Sequence, residues 1–559
     1  MAVSASSLDV AGIVSQLMQV EQKPLVALNT KEANYQAKIS AFGSIKSAVA
    51  KFQTAVQSLN DPAKFNSNTA NSTDPTVMDA SASDSAAIGS HSIEVLKLAQ
   101  AQKLVAPGQS NAVSEIGVGT ISFDFGTITD AATPTFDAVT GKYAGPGVTF
   151  ASSNAIKTIT IDSAHNTLEG IRDAINGGNV GITASIVNDG GDSPYRLVLS
   201  SISSGKTQSL KISVSGDAAL SNLLANDPTG TQNMSEVATA QNAELKVDGV
   251  FVSKTTNTVD DVLQGVSLKL QKAGTSTLSV ARDTVTMKSS VQGFVTAFND
   301  MNNTLNSLSA YDPATKTAGI LQSDSSVRTI MGQMRSMMVT PISGLTGTNT
   351  TLYSIGIKTQ KDGSLSLDAN KLQNAIDTNF KDIAGIFTAL GSPSDSQIKF
   401  VSSSANTQTG TYAINASNLG TASSSAAGTI GGATAEGGVQ TLSGAIGTSA
   451  SGLQIQILGG ATGDRGTVTF TRGYADQLNG LLSKFLANDG VIASRTAGLN
   501  QSVKNIGSSR DALNIRLARL QANYTKQFSA LNTMMSQMQS TSDALTQQLA
   551  NLPGIKASL

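Results

Sequence analysis

The last sixty residues of this 559-residue chain carry an apolar seam, and that seam constrains everything between it and the start of the chain. From Leu499 onward, large apolar side chains recur at steps of four and three. The series is Leu499, Val503, Ile506, then Leu513, Leu517, Leu520, Tyr524, then Leu531, Met534, Met538, Leu545, Leu552. Such spacing keeps one row of side chains on one side of a helix. At about 1.5 Å per residue the helix is roughly 80 Å long, more than a globular domain needs.

The first sixty residues hold a counterpart. Leu8, Ile13 and Leu17 open a short amphipathic helix that Pro24 interrupts or restarts. Leu28, Tyr35, Phe42, Ile45, Val49, Phe52, Val56 and Leu59 continue the pattern, and Asn60-Asp61-Pro62 ends it. Paired rods at the two chain ends, with the rest looped out between them, point to a subunit of a fibrous assembly.

Composition removes several other classes. Charged residues make up 14%, against roughly 25% in ordinary soluble domains. Net charge is −1 with no Lys/Arg block, so neither nucleic acid nor acidic lipid is favoured as a partner. There is no Cys, and hence no disulfide, thiolate site or Cys nucleophile. His91 and His165 stand in no metal-ligand spacing, and Asp189 and Asp192 lack a regular oxygen-ligand pattern. No phosphate loop or Gly-x-Ser-x-Gly elbow is present, so no catalytic residue and no cofactor is expected. The N-terminus lacks the basic and apolar regions of a cleaved signal peptide, and no stretch reaches the length of a membrane span.

Between about Asn66 and Asp283 the period changes to two, as in Ser92–Leu98, Thr158–Ile161 and Leu268–Leu270, which predicts antiparallel strands. One helix intrudes around Leu168, Ile171 and Ile175. Helical spacing returns at Met287, Val291, Phe294, Phe298, Met301, Leu305 and Leu308. Two shorter helices follow, capped by Ser323 or Asp324 and by Asp368, with a hairpin turn near Asp362-Gly363 between them. Residues from about Phe400 to Gly473 are β-like again, and here an internal repeat emerges. Gly265–Leu270 resembles Gly452–Ile457, Leu278–Arg282 resembles Val468–Arg472, and His91–Val95 has an echo in Gly410–Asn415. Two related β-modules inserted into a helical stalk explain this, with generic hairpin similarity as the plain alternative.

The fold class is therefore α+β and multidomain: coiled-coil-like terminal helices and a helical domain, with nested antiparallel β domains inserted. The expected division is 1–45 with 512–559 as a leg, and 46–75 with 284–399 and 474–511 as a helix-rich domain. Residues 76–106 with 236–283 form a β domain, 107–235 a nested outer β domain with one helix, and 400–473 an extra β insertion.

Several segments resemble the flagellar filament cap family, also called hook-associated protein 2 or FliD. They are Asp9–Met18 with Glu21–Leu25, Ala240–Gly249, Gly319–Asp324, Ile355–Ile357 with Asp362-Gly363, and Met535–Ser542 continuing to Leu549. Together they span nearly the whole chain in order; the segment 400–473 is the main departure. The resemblance implies a leg of both termini, a helix-rich domain above it and an outer β platform. It implies a ring homo-oligomer, commonly a pentamer, at the filament tip, retaining exported flagellin and aiding its folding. The implied partners are further copies of the chain, flagellin, hook–filament junction proteins and a flagellar export chaperone, with export through the flagellar type III apparatus. Another flagellar axial protein, a flagellin or junction protein, is the alternative, and adhesion by the polar outer segments is a possible secondary role.

The residues expected at the leg's assembly interface are Ile13, Leu17, Leu28 and Tyr35 at one end. At the other they are Leu513, Leu517, Leu520, Tyr524, Leu531, Met538, Leu545 and Leu549. Arg510, Gln527, Thr541 and Gln548 fall on the seam, while Phe528, Met535 and Leu549 sit one residue over, the drift of a 3.6 period past 3.5. Polar seam positions lower affinity and fix register, which suits a leg that lets go and rebinds. Both ends are expected to be mobile in free subunits and ordered in the assembly.

Overall fold

A computed structural model describes residues 9–129, 136–144, 147–314, 316–345 and 347–550; Leu8 and Leu552 of the seams lie outside them. The chain forms two compact units, one from Met1–Phe65 with Thr284–Leu559, the other from Asn66–Asp283. The architecture is α+β, with long terminal helices and several antiparallel sheets.

The helices of eight or more residues in the first unit are α1 (Val10–Glu21), α2 (Lys23–Leu59), α3 (Thr284–Ser309), α4 (Ser325–Val339), α5 (Ala369–Thr378), α6 (Phe380–Phe387), α7 (Tyr474–Leu486) and α8 (Val491–Ala550). Their core follows from the apolar spacing. Phe42, Ile45, Val49, Phe52, Val56 and Leu59 of α2 are buried against Met287, Val291, Phe294 and Phe298 of α3 and Leu478, Leu482 and Phe485 of α7. The Phe52 ring lies 5.5 Å from Phe294 and 5.6 Å from Phe298, within the range of favourable aromatic pairs. Asp324 caps α4 by accepting from the Ser326 amide, and Asp368 caps α5 by accepting from Lys371. Between them, Ile357–Thr359 pairs with Leu365–Leu367. Gly363 closes that turn at φ +81°, and a Cβ there would sit 2.5 Å from the Arg335 guanidinium.

The second unit has two cores. One lies inside a β-module and includes Ile93, Val95, Leu245, Leu268, Leu278 and Val280. The other fills the nested domain, where Leu168, Ile171 and Ile175 of the helix Leu168–Gly177 meet Leu104, Phe123, Leu197 and Leu210. The strand Asn68–Ser72 lies in the stretch 46–75 that the expected division assigns to the helix-rich domain, although it falls beyond Asn66, where the period changes to two. It pairs with Gly274–Arg282, Asn68 opposite Arg282.

The internal repeat is a repeat of topology. The larger sheet of the first module runs Asn68–Ser72, Gly274–Arg282, Gly89–Lys97, Ala243–Val247, Val250–Lys254. That of the second runs Ala389–Pro393, Gly463–Arg472, Gly410–Asn418, Ala427–Ile430, Ala433–Thr434. The smaller sheets also correspond. Met78–Ala82, Val266–Leu270 and Thr258–Val259 match Ile398–Ser402, Gln454–Ile457 and Thr441–Ser443, after which the second module adds Glu436–Gly438. Generic hairpin similarity does not produce the same strand order twice. The modules differ at one connection: the third and fourth strands enclose the nested domain in the first, whereas residues 419–426 join them in the second. The second module is tied to α7 through Arg472, which donates to Asp476 and to the carbonyls of Thr407 and Ser404.

Candidate assembly leg

The leg is built from α1, the first half of α2 and the last forty residues of α8. Asp9 starts α1 by accepting from the Gly12 amide at 2.9 Å. The helix breaks at Gln22 because Pro24 has no amide proton to return to Val20. By contrast, α8 runs 60 residues without proline, rich in Ala, Leu and Gln.

Three zones follow along α8. Nearest the helical core, Leu499 and Ile506 are buried, and Tyr35 of α2 packs at the edge of that core. Next, Arg510 meets Glu32 of α2 at 2.7 Å, at one of the polar seam positions. Beyond it a small separate cluster forms: Val14 and Met18 of α1 with Leu517, flanked by Val10, Leu25, Leu513, Tyr524 and Phe528. The last zone, from about 529, exposes its apolar side chains. Leu531 is 44% exposed, Met538 66%, Leu545 54% and Leu549 63%. Asp543 is the single charged residue there.

The expected interface residues thus separate. Leu513, Leu517 and Tyr524 meet in the α1–α8 cluster. Ile13, Leu17, Leu28 and Leu520 are half-buried outside it, and Leu531, Met538, Leu545 and Leu549 face solvent. The sequence reading missed Val10, Val14, Met18 and Leu25. The signal was present: Val10, Val14 and Met18 are spaced by four and form a row beside Ile13 and Leu17. Two adjacent apolar rows left the choice of contact face open.

Elsewhere the titratable candidates are engaged locally. His91 contacts Asp248 at 2.8 Å and His165 contacts Asp162 at 2.7 Å; both histidines hold the neighbouring carboxyl below the usual range. Asp189 accepts from Arg196, and that hydrogen bond lowers its pKa. Among the described residues, no group of three or more His, Asp or Glu could hold a metal ion, and no helix is long and apolar enough to cross a membrane.

Comparison with known proteins agrees with this geometry. Residues 240–540 match the model of the flagellar hook-associated protein 2 C-terminus and residues 6–102 that of its N-terminus. Residues 147–203 match the flagellin hook IN motif. The chain is 28% identical over 573 residues to the B-type flagellar hook-associated protein 2 of Pseudomonas aeruginosa, covering 99% of this chain and 98% of that protein. It is 28% identical over 558 residues to flagellar hook-associated protein 2 of Escherichia coli K12, covering 98% and 97%. Among solved structures, the D1-D2-D3 domains of the flagellar cap protein FliD from Escherichia coli align with a TM-score of 0.53 at 27% identity. That alignment covers 82% of this chain and 99% of the other.

Proposed function

The chain belongs to the family of flagellar hook-associated protein 2, the FliD cap proteins, and from that premise we propose that it closes the filament tip as a ring of identical copies anchored by the leg. Cap proteins of this family sit at the tip of the filament, outside the cell. The role is structural: a platform that covers the growing end, and legs that engage and release.

One observation carries the reading. The row Leu531, Met538, Leu545, Leu549 lies exposed on the last zone of α8, where no described residue of the subunit covers it. Covering each large side chain contributes about 1.5–3 kcal/mol, whereas ordering the backbone costs about 1–2 kcal/mol per residue, partly offset by helix propagation. A leg of this kind orders fully only against other helices. In this reading those helices belong to neighbouring copies, five being the family's usual number, to flagellin and to hook–filament junction proteins. An export chaperone would cover the same row before passage through the flagellar type III apparatus. The cap retains exported flagellin and assists its folding, and the leg's polar seam positions keep each engagement reversible.

The test is a chain truncated after residue 528, produced in a strain lacking the native protein. We expect flagellin to be lost to the medium and filaments to be absent, with rings or paired rings of the full chain visible by electron microscopy. Full-length filaments from the truncated chain would overturn the reading. Adhesion is a secondary proposal for the polar outer segments, checked by deleting 400–473 and measuring attachment with filament growth intact.

A further inference from the structure

The strand Ser235–Ala238 pairs with Lys103–Val105 in a sheet of the nested outer domain, just beyond that domain's expected bounds, and buries one carboxyl that a capping role does not require. Glu236, on the strand Ser235–Ala238, is 5% exposed. Its Oε2 accepts from Nε2 of Gln102 at 2.8 Å, and the Tyr143 phenol also hydrogen-bonds the carboxyl. Gln102 is itself fully buried, its Oε1 holding the Leu210 amide at 2.6 Å. Oε1 of Glu236 is buried with no hydrogen-bond partner. Burial dominates and lifts the pKa to about 7, although both hydrogen bonds pull the other way.

A short hairpin, Phe136–Asp137 paired with Lys142–Tyr143, closes over this carboxyl. The Glu236 amide donates to the Gly141 carbonyl at 2.8 Å, and a Cβ on Gly141 would sit 2.6 Å from the Glu236 carbonyl oxygen. Tyr143 is held by Gln232, whose side chain bonds both its amide and its carbonyl. A cleft of about 370 Å³ runs along the hairpin, lined by Phe136, Thr140, Gly141 and Ser235 among others, and gives water a route in. Charged groups on the surrounding elements do not neutralise the carboxyl. Lys103, Asp137 and Lys142 are exposed, and Lys211 is paired with Asp227 at 2.6 Å. Tyr143 is the titratable side chain in contact with it.

We propose that the 136–143 hairpin is a pH-released strap, closed over a protonated Glu236 and lifted when that carboxyl ionises. An anion with one unpartnered oxygen is costly to keep dry, and opening the hairpin lets water reach it. The closed state holds the proton more tightly than the open one, so closure is strongest in acid. It weakens about tenfold per pH unit between ~4.5 and ~7 and then levels, a change on the order of 300-fold overall.

Hydrogen–deuterium exchange on the full chain between pH 5 and 8.5, corrected for intrinsic rates, tests this. Protection of 136–143 is expected to fall with rising pH and level near 7 in the native chain, and to stay flat in Glu236→Gln, which cannot ionise. Flat protection in the native chain, or the same fall in Glu236→Gln, overturns the proposal. A second variant covers the case where Glu236→Gln does not close at all. Tyr143→Phe removes a hydrogen bond that favours the anion, so the midpoint should move to higher pH; an unmoved midpoint also overturns it.

Discussion

Arg510 of α8 donates to Glu32 of α2 at 2.7 Å, joining residues 478 positions apart at the level where the buried core gives way to the leg. On one side lie Ile506 and the helical core, on the other the small cluster around Leu517. A slip of α8 by one turn would separate the pair and leave Glu32, whose side chain is 18% exposed, without its cation. The pair therefore pins the register of the two long helices.

A double-mutant cycle measures that pin. Arg510→Ala and Glu32→Ala should each destabilise the leg slightly, with a coupling of about 0.5–1 kcal/mol that shrinks in 1 M salt. Reversing both charges should restore the exchange protection of residues 28–35. Zero coupling, with unchanged protection in both single variants, would remove the pair from this role.

The face of α1 that holds the leg together is Val14 and Met18, and substitution separates it from the neighbouring row. Val14→Ala and Met18→Ala each remove a buried side chain and should cost about 1–3 kcal/mol of α1 docking. Ile13→Ala and Leu17→Ala, on half-buried positions, should cost under about 1 kcal/mol each. Protease cleavage in α1 of the free subunit reports the difference; equal sensitivity of both rows would contradict the observed packing.

These two cases also define what the sequence could reveal. The α2 core from Phe42 to Leu59 is legible because one apolar row stands against polar neighbours. On α1 two apolar rows lie side by side, and the packing partner decides between them. The strand Asn68–Ser72 is written in Asn, Thr, Ala and Ser, so alternation gives no signal; its pairing with Gly274–Arg282 places it. The β-module repeat is legible because glycine-led alternating strands recur in order, but the shared sheet order depends on strand pairing, which alternation does not specify. Glu236 carries no motif at all. Its burial comes from a hairpin about a hundred residues earlier in the chain.

The exposed end of α8 makes a prediction of the opposite kind. Met538→Ser and Leu545→Ser should leave the melting of the free subunit within about 0.5 kcal/mol, because both side chains are exposed among the described residues. The same variants should weaken capping, read as flagellin released into the medium. The near absence of charge in this zone implies that its binding changes little with salt, unlike the Arg510–Glu32 contact. A large loss of monomer stability, or wild-type retention of flagellin, would show that the row has another use.

The two β-modules predict where the chain accepts new structure. In the first, the connection between Gly89–Lys97 and Ala243–Val247 carries an entire folded domain. The equivalent connection in the second module, between Gly410–Asn418 and Ala427–Ile430, is a loop whose residues Thr421–Ser425 are exposed. Insertion between Ser423 and Ser424 disturbs only the local turn, where Thr421 and Ser424 hydroxyls lie 3.0 Å apart, and leaves the buried Ala426 in place. Loop closure grows slowly with length, so a small folded domain whose termini lie close together should cost roughly 1–2 kcal/mol. The same insertion after Gly466 should unfold the module, because it breaks the strand Gly463–Arg472 beside Arg465, whose 4%-exposed side chain bonds Asp395 at 2.6 Å. Thermal unfolding of the two insertion variants checks this: near-native melting at 423/424 and loss of the module after 466 are expected. Equal damage at both sites would mean that the shared strand order does not carry shared tolerance.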